Sequence, residues 1–436
     1  MRRIAFLSYH SSPLAQPGRG NAGGMNVYVR EVALELGRRG YCVDIFTRRQ
    51  ERRSPDLIPL GPGVRVVHLM AGEPAPLSRQ ELVRPLPAFL RGLLAFGNDA
   101  YDLVHSHYWL SASAGAILSR RWGVPHVATF HTLGEVKNQA RPEERESQNR
   151  IRAERAVAEG AERIICCSEA ERALLLDLYD ADPARVVVVP CGVDLERFYP
   201  IAKEEARALL GLPQKATLLY VGRLEPLKGV ELLLRATAQL MGRAIPLRGS
   251  PGPGGLGMNG ASFQLLIIGG DRRPPGEKRR LKGLAGRLGL DGRARFLGPV
   301  EHGRMPLYYS AADVCLVPSY YESFGIAALE AMACGTAVVA ARVGGLAGLI
   351  ADGETGYLVT EHRPEAFSQR LELLLGDPAL RRRLGEAARA VAEGFSWRAV
   401  ADALEAVYGG LVAPPEGYSE ATSSQINLRA VESAMP

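Results

Sequence analysis

Residues 320–345 read YYESFGIAALEAMACGTAVVAARVGG. Glu322 falls among Ser323, Phe324 and Gly325, residue types that suit a loop. The run Gly325–Cys334 has the composition of a helix, and the apolar Ala337–Ala341 that of a buried strand. A loop, helix and strand in that order is the unit from which parallel α/β sheets are built. The helix start offers unpaired N–H groups and partial positive charge to an anion. Glu330, eight residues after Glu322, lies one to two turns into the helix, where a carboxylate can accept hydrogen bonds from sugar hydroxyls. Together these parts suit a nucleoside diphosphate sugar. Two glutamates alone would read as solvated surface groups; the surrounding pattern gives them their meaning.

The same alternation runs outward along the chain. Before residue 200 the expected strands are Ile4–Tyr9, Cys42–Thr47, Val64–Leu69, Leu103–Ser106, His126–Phe130, Arg163–Cys167 and Val186–Pro190, with helices at Met25–Gly37, Val83–Leu94 and Ser111–Arg121. A second set of strands follows at Thr217–Val221, Gln264–Ile268, Ala294–Leu297, Val314–Pro318, Ala337–Ala341 and Gly356–Val359, with helices at Gly229–Met241 and Gly325–Cys334. Buried runs alternating with helices predict parallel sheets covered on both faces. The expected fold class is α/β, with two Rossmann-like domains facing across a cleft. The expected boundaries are 1–198 for the first domain and 199–394 for the second, with terminal helix 395–412 returning to the first. Residues 413–436 read as a disordered tail, and 242–260, with seven glycines and three prolines, as a surface loop insertion.

The 436 residues favour two domains, and 47% hydrophobic with 23% charged residues is ordinary for a globular chain. A net charge of +6 fits a protein that handles phosphates and makes peripheral contact with an acidic membrane surface. Its arginines are scattered and not interleaved with aromatics, which argues against nucleic acid. No apolar run has the length of a membrane span. The six cysteines form no Cys-x-x-Cys pair and lie mostly in apolar runs, so a cytoplasmic location with reduced thiols and no metal site is expected. The chain opens on IAFLSYH, read as a strand, so no signal peptide is expected.

Between the first strand and the first helix lies HSSPLAQPGRGNAGGMN. Gly18, Gly20 and Gly23 match Gly-x-Gly-x-x-Gly, and Asp44 follows, so a dinucleotide dehydrogenase is a competing reading. It fails on spacing: eight residues separate Tyr9 from Gly18, and Asp44 is inside the second strand. Gly23-Gly24 directly before a helix gives a better account, because the backbone there can approach a phosphate. In the second half, YVGRLEPLKG puts Arg223 after a strand and Lys228 at a helix start, a cation pair that can neutralise a leaving diphosphate. Gly269-Gly270-Asp271 follows the next strand, again with small residues. His131, in TFHTLGEVKN, ends a buried strand, and Tyr108, in HSHYWLS, ends the one before it. With Thr132, Lys137, Asn138, Arg150, Glu154 and Arg79, they form a polar, partly cationic group suited to a phosphorylated or polyhydroxylated acceptor.

Taken together, these motifs resemble the retaining group 1 glycosyltransferases of GT-B architecture. SPLAQPGRGNAGGMNVYVREVALELGRRG, HSHYWLS and FHTLGEVKN are similar to the branch that contains the inositol-phosphate glycosyltransferases of mycothiol synthesis. Sucrose-phosphate synthases share much of the pattern but carry a Thr-Gly-Gly-Gln loop where this chain has Ala22-Gly23-Gly24-Met25-Asn26. The resemblance implies donor contacts from Gln16, Gly23, Gly24, Arg223, Lys228, Gly270, Glu322, Ser323, Phe324, Gly325 and Glu330, the last at the ribose. It implies acceptor contacts from His10, Asn21, Gly24, Asn26, Arg79, Tyr108, Thr132 and Arg150. His131, Arg223, Lys228 and Glu322 would be the catalytic set, with His131 at the 6-hydroxyl of the reacting sugar. Arg79 stands where lysine is usual in that branch, Phe130 where alanine is, and Ala112 where glycine is.

The resemblance further implies an NDP-sugar co-substrate, UDP-GlcNAc or UDP-glucose, with no cofactor required for catalysis, and a homodimer as one state. The acceptor would be a small phosphorylated molecule such as inositol phosphate; fructose 6-phosphate and lipid-linked or polysaccharide acceptors are the alternatives. A nucleotide-sugar epimerase would need no acceptor. A silent binding protein would have lost Arg223, Lys228 or Glu322, and all three are present. A double displacement would need a carboxylate on the far face of the sugar. No acidic residue stands close to His131 in sequence, so front-face attack is expected, with the departing phosphate taking the acceptor proton.

Overall fold

The computed structural model describes residues 2–18, 22–78, 80–97, 101–143, 145–241, 263–270 and 275–412. The expected insertion and tail, along with Asn21, Arg79 and Asp271, lie outside the described residues. Among the described residues, fourteen strands form two separate sheets. The first holds β1 (Arg3–Leu7), β2 (Cys42–Arg48), β3 (Leu57–Gly61), β4 (Val64–Leu69), β5 (Leu103–His107), β6 (His126–Thr129), β7 (Arg163–Cys166) and β8 (Val186–Val188). Its order is β3-β4-β2-β1-β5-β6-β7-β8, parallel except for the β3–β4 pair. The second holds β9 (Ala216–Val221), β10 (Phe263–Ile268), β11 (Ala294–Gly298), β12 (Val314–Val317), β13 (Ala337–Ala341) and β14 (Tyr357–Val359). Its order is β11-β10-β9-β12-β13-β14, and every pairing is parallel. Two Rossmann-like sheets are thus present, as the alternating pattern predicts. The strand absent from the sequence reading is β3. Pro59 and Gly61 mask it, and both are tolerated because β3 is an edge strand paired only with β4.

Strand order places the site. The chain reverses its direction of travel between β1 and β5 in the first sheet, and between β9 and β12 in the second. Loops leaving the carboxyl ends of strands on either side of such a switch diverge and open a crevice. The segments that follow β1, β5, β9 and β12 carry Gly23-Gly24, Tyr108, Arg223 and Glu322.

Helix Trp397–Gly409 packs against helix Gly24–Arg38 of the first sheet. Trp397 meets the Tyr28 ring edge-on at 5.9 Å, Tyr408 Oη lies 2.7 Å from His105 Nδ1, and Arg39 reaches Asp402 at 2.7 Å. The two segments that pass between the sheets run side by side: Val193 N–H donates to Phe395 C=O at 2.7 Å. Gly192 has no room for a side chain there, since a Cβ would stand 2.8 Å from Trp397. A continuous apolar cluster joins Phe6 and Val32 to Phe198, Leu404 and Ile268, so the two sheets share part of one core. Among the described residues, no helix is long and apolar enough to cross a membrane.

Candidate active site in the cleft between the sheets

A cleft of about 1650 Å³, counting its open mouth, separates the carboxyl edges of the two sheets. On the second-sheet wall, Arg223 follows β9, and Lys228 lies in a 3-10 turn, Pro226–Lys228, that precedes helix Val230–Ala238. Lys228 therefore does not begin the α-helix as the pattern predicts. Gly229 intervenes with φ of 69°, because Pro318 C=O crosses where a side chain would be. Arg223 Nη1 contacts Glu225 Oε1 at 2.5 Å, and Lys228 Nζ contacts Glu322 Oε1 at 2.5 Å. Ser319 Oγ also donates to Glu322, at 3.1 Å. Both cations are thereby aimed and partly neutralised before any ligand arrives.

Glu330, 6% exposed, lies at the floor of this wall. Tyr309 Oη donates to its Oε2 at 2.7 Å, and His302 Nε2 stands 2.7 Å from its Oε1. Burial opposes charge on His302, but Glu330 outweighs it and holds the imidazole pKa above its ordinary value. The loop of Glu322, Ser323 and Phe324 is set by glycines beneath it. Gly344, at φ of 46°, leaves no space for a Cβ against Glu322 C=O, and Gly345 N–H donates to the same carbonyl at 3.0 Å. Gly325, at φ of 107°, starts helix Ile326–Ala333. Gly269 lines the cleft, whereas Gly270 packs against Leu224 outside it.

On the first-sheet wall, helix Gly24–Arg38 begins at the cleft. Asn26, expected at the acceptor, is 1% exposed and turned inward. Its Oδ1 accepts from Gly23 N–H at 2.9 Å, and its Nδ2 donates to Ser11 Oγ and Ser12 C=O, both at 2.7 Å. It fixes the Gly23-Gly24 turn and is not part of the cleft lining. Gln16 does not line the cleft either. His10 does, with its ring 4.2 Å from that of Tyr108. Arg150 is 1% exposed below the lining and fully engaged. Its Nε donates to Glu154 at 2.7 Å, and its Nη2 to Thr132 C=O at 2.8 Å. The structure thus brings Gly23, Gly24, His10, Tyr108, His131, Thr132, Arg223, Lys228, Glu322, Ser323, Phe324, Gly325 and Glu330 to one cleft, and leaves Gln16, Asn26, Arg150 and Gly270 behind or beside it.

Tyr108 and His131 have φ of 76° and 59°, two of the three described non-glycine residues with positive φ. Such backbone costs on the order of 1–3 kcal/mol per residue and is kept where surrounding packing enforces it. Both sit at the carboxyl ends of neighbouring strands, facing the cleft. Packing around His131 pushes its pKa down to about 3, so the imidazole is neutral near pH 7. The sequence reading missed Tyr28, His302, Cys167 and Cys191 in the lining. Tyr28 lies inside a helix that reads as core. His302 sits in a short turn, His302–Arg304, where only the three-dimensional position of Glu330 gives it meaning.

The two walls touch at glycines. A Cβ on Gly18 would stand 3.3 Å from Gly269 Cα, on Gly23 3.6 Å from Arg223 Nε, and on Gly24 3.1 Å from Ile326 Cδ1.

The sequence pattern described as Glycosyl transferases group 1 matches residues 202–391, and that described as Glycosyltransferase Family 4 matches residues 22–197. The D-inositol 3-phosphate glycosyltransferase of Kineococcus radiotolerans is 44% identical over 428 residues, covering 94% of this chain and 95% of its own. The sucrose-phosphate synthase of Thermosynechococcus elongatus superposes with a TM-score of 0.85 at 36% identity, covering 94% of this chain and 99% of its own. HepE of Anabaena in complex with UDP-glucose shares the fold, with a TM-score of 0.71 at 20% identity over 93% of this chain and 99% of its own. These likenesses span both sheets and the cleft between them, and the chain belongs to the group 1 glycosyltransferases, enzymes of GT-B fold that transfer hexosyl groups.

Proposed function

We propose that this enzyme moves a hexosyl group from a nucleoside diphosphate sugar, UDP-GlcNAc or UDP-glucose, to a hydroxyl of an inositol phosphate, with retention at the anomeric carbon. The observation that carries this reading is the meeting of Gly23 with Arg223 across the cleft, beside Lys228. A diphosphate seated there faces a helix N-terminus on one side and two cations on the other. Glu330, on the same wall, is available to the ribose hydroxyls. The choice of inositol phosphate as acceptor is supported by the 44% identity to a D-inositol 3-phosphate glycosyltransferase over nearly the whole chain.

The anomeric C–O bond to the β-phosphate breaks and a C–O bond to the acceptor forms on the same face. The acceptor proton passes to the departing phosphate oxygen. Arg223 and Lys228 stabilise the charge that develops on the diphosphate, the contribution of pre-aimed donors. The carboxylates lining the cleft among the described residues are Glu322 and Glu330, both on the second-sheet wall and each already bonded to protein donors. This supports a mechanism of positioning over one with a protein nucleophile. No cofactor is assigned, and EDTA should leave turnover unchanged.

The test is a UDP-release screen of both donors against inositol phosphate, free inositol and fructose 6-phosphate, followed by NMR of the anomeric proton. Inositol phosphate should be the preferred acceptor and the product should keep the donor's configuration. Preference for fructose 6-phosphate would favour the second reading, which the 36% identity to a sucrose-phosphate synthase supports.

A further inference from the structure

The loop after β6 offers His131 to the cleft, and the protein interior behind it contains a second imidazole. His107 is the last residue of β5, fully buried, with Nδ1 3.1 Å from His131 Nε2. Around the pair stand Phe6, whose ring lies 5.0 Å from that of His107, and Tyr28, whose ring lies 5.2 Å from that of His131. His105, two residues earlier on the same face of β5, has both nitrogens engaged, by Tyr408 Oη at 2.7 Å and Thr129 Oγ1 at 2.9 Å. His107 differs, because its Nε2 is buried without a hydrogen-bond partner.

That difference fixes the direction of the His107–His131 bond. Burial holds both rings neutral, so each carries one proton and one bare nitrogen. If His131 Nε2–H donated, His107 would carry its own proton on Nε2, an N–H buried with no acceptor. If His107 Nδ1–H donates, the unpartnered Nε2 is only a lone pair. Orphaned buried N–H groups are the rarer and costlier case. With Nε2 of His131 turned inward as acceptor, its proton rests on Nδ1, the nitrogen left for the cleft.

We infer that His107 is a positioning residue that locks His131 in the Nδ1–H tautomer, so that His131 serves the reaction as a hydrogen-bond donor to an oxygen of the bound sugar or its phosphate and not as a base. The role of the donor rests on the transferase reading above; the tautomer does not. The setting of a ring's tautomer by the bond made at its other nitrogen is a general device.

The test uses the full chain labelled with 15N-histidine. Two-bond proton–nitrogen spectra report which nitrogen of each imidazole is protonated, and His131→Gln identifies the His131 signals. We expect His131 protonated on Nδ1 in the wild type without substrate. His107→Leu should release it to Nε2–H or a mixture, and lower kcat about tenfold to a hundredfold with donor KM nearly constant. His107→Asn places an amide N–H where Nδ1 was and should restore both the tautomer and most of the turnover. Thermal melts of the variants separate misfolding from mispositioning. Protonation of His131 on Nε2 in the wild type would overturn the inference. So would a His107→Leu enzyme that folds and keeps the wild-type tautomer. The spectra need no substrate, so a failed acceptor screen and a failed tautomer assignment are separate results.

Discussion

Arg223 and Lys228, the diphosphate clamp of the proposed function, are each already paired, with Glu225 and Glu322. Pairing orients the cations, and a diphosphate must compete with the carboxylates for them. Losing one such donor typically lowers the rate about 10² to 10³-fold. Arg223→Ala and Lys228→Ala should each lower kcat by that order while thermal melting shows a folded chain; near-normal turnover in both would remove the clamp. These two residues were legible in the sequence because YVGRLEPLKG puts charge directly after a strand. Asn26 and Arg150 were legible as polar residues near the site, but sequence does not give the direction of a side chain. Both point inward to protein partners.

At the scale of elements, β5 and β6 bury a set of imidazoles that the sequence shows only as HSH and two isolated histidines. Burial pushes His126 and His131 down to about 3, and His105 and His107 well below their ordinary value. Between pH 6.5 and 4.5 the unfolded chain therefore binds more protons at these four positions than the folded one, and stability falls as pH falls. Glu171, raised to about 7 by burial, and His302, held above its ordinary value by Glu330, have the opposite sign toward the upper end of that range, but they are two groups against four. Each fully displaced titration is worth about 1.4 kcal/mol per pH unit. The urea midpoint at pH 5 should be clearly below that at pH 7, and equal midpoints would mean that the histidines are accessible. The helix that carries Arg150 gives a second test. Arg150→Ala leaves Glu154, which has no exposed side chain, without its charge partner, so a loss of about 3–5 kcal/mol is expected in chemical denaturation. An unchanged denaturation midpoint with a raised acceptor KM would instead return Arg150 to the acceptor. Under the Glu322 loop, Gly344→Ala forces a Cβ into a carbonyl at positive φ. Turnover should fall about 10²-fold through displacement of Glu322, as steady-state kinetics would show.

At the scale of the whole molecule, the residues that line the cleft are divided between the sheets, and Gly18, Gly23 and Gly24 are where the walls meet. On the proposed function chemistry would depend on closure, with the bend expected where Val193 and Phe395 cross side by side. Donor binding should slow hydrogen exchange at residues 22–26 as well as at 219–228 and 319–330, read by exchange mass spectrometry with and without UDP-sugar. Protection confined to the second sheet would show that the glycine loop takes no part in holding the donor.

The sequence by itself determined the two parallel sheets, the strand–loop–helix units and the residue types at their carboxyl ends, because periodicity and glycine placement are local properties of the chain. It missed β3, where an edge position overrides the signals of Pro59 and Gly61. Only the tertiary structure decided which of the polar residues face the cleft. It alone placed His302 on Glu330, held Tyr108 and His131 at positive φ, and set His107 behind His131. Those relations join residues distant in sequence, and they arise from close packing between elements, which no local pattern encodes.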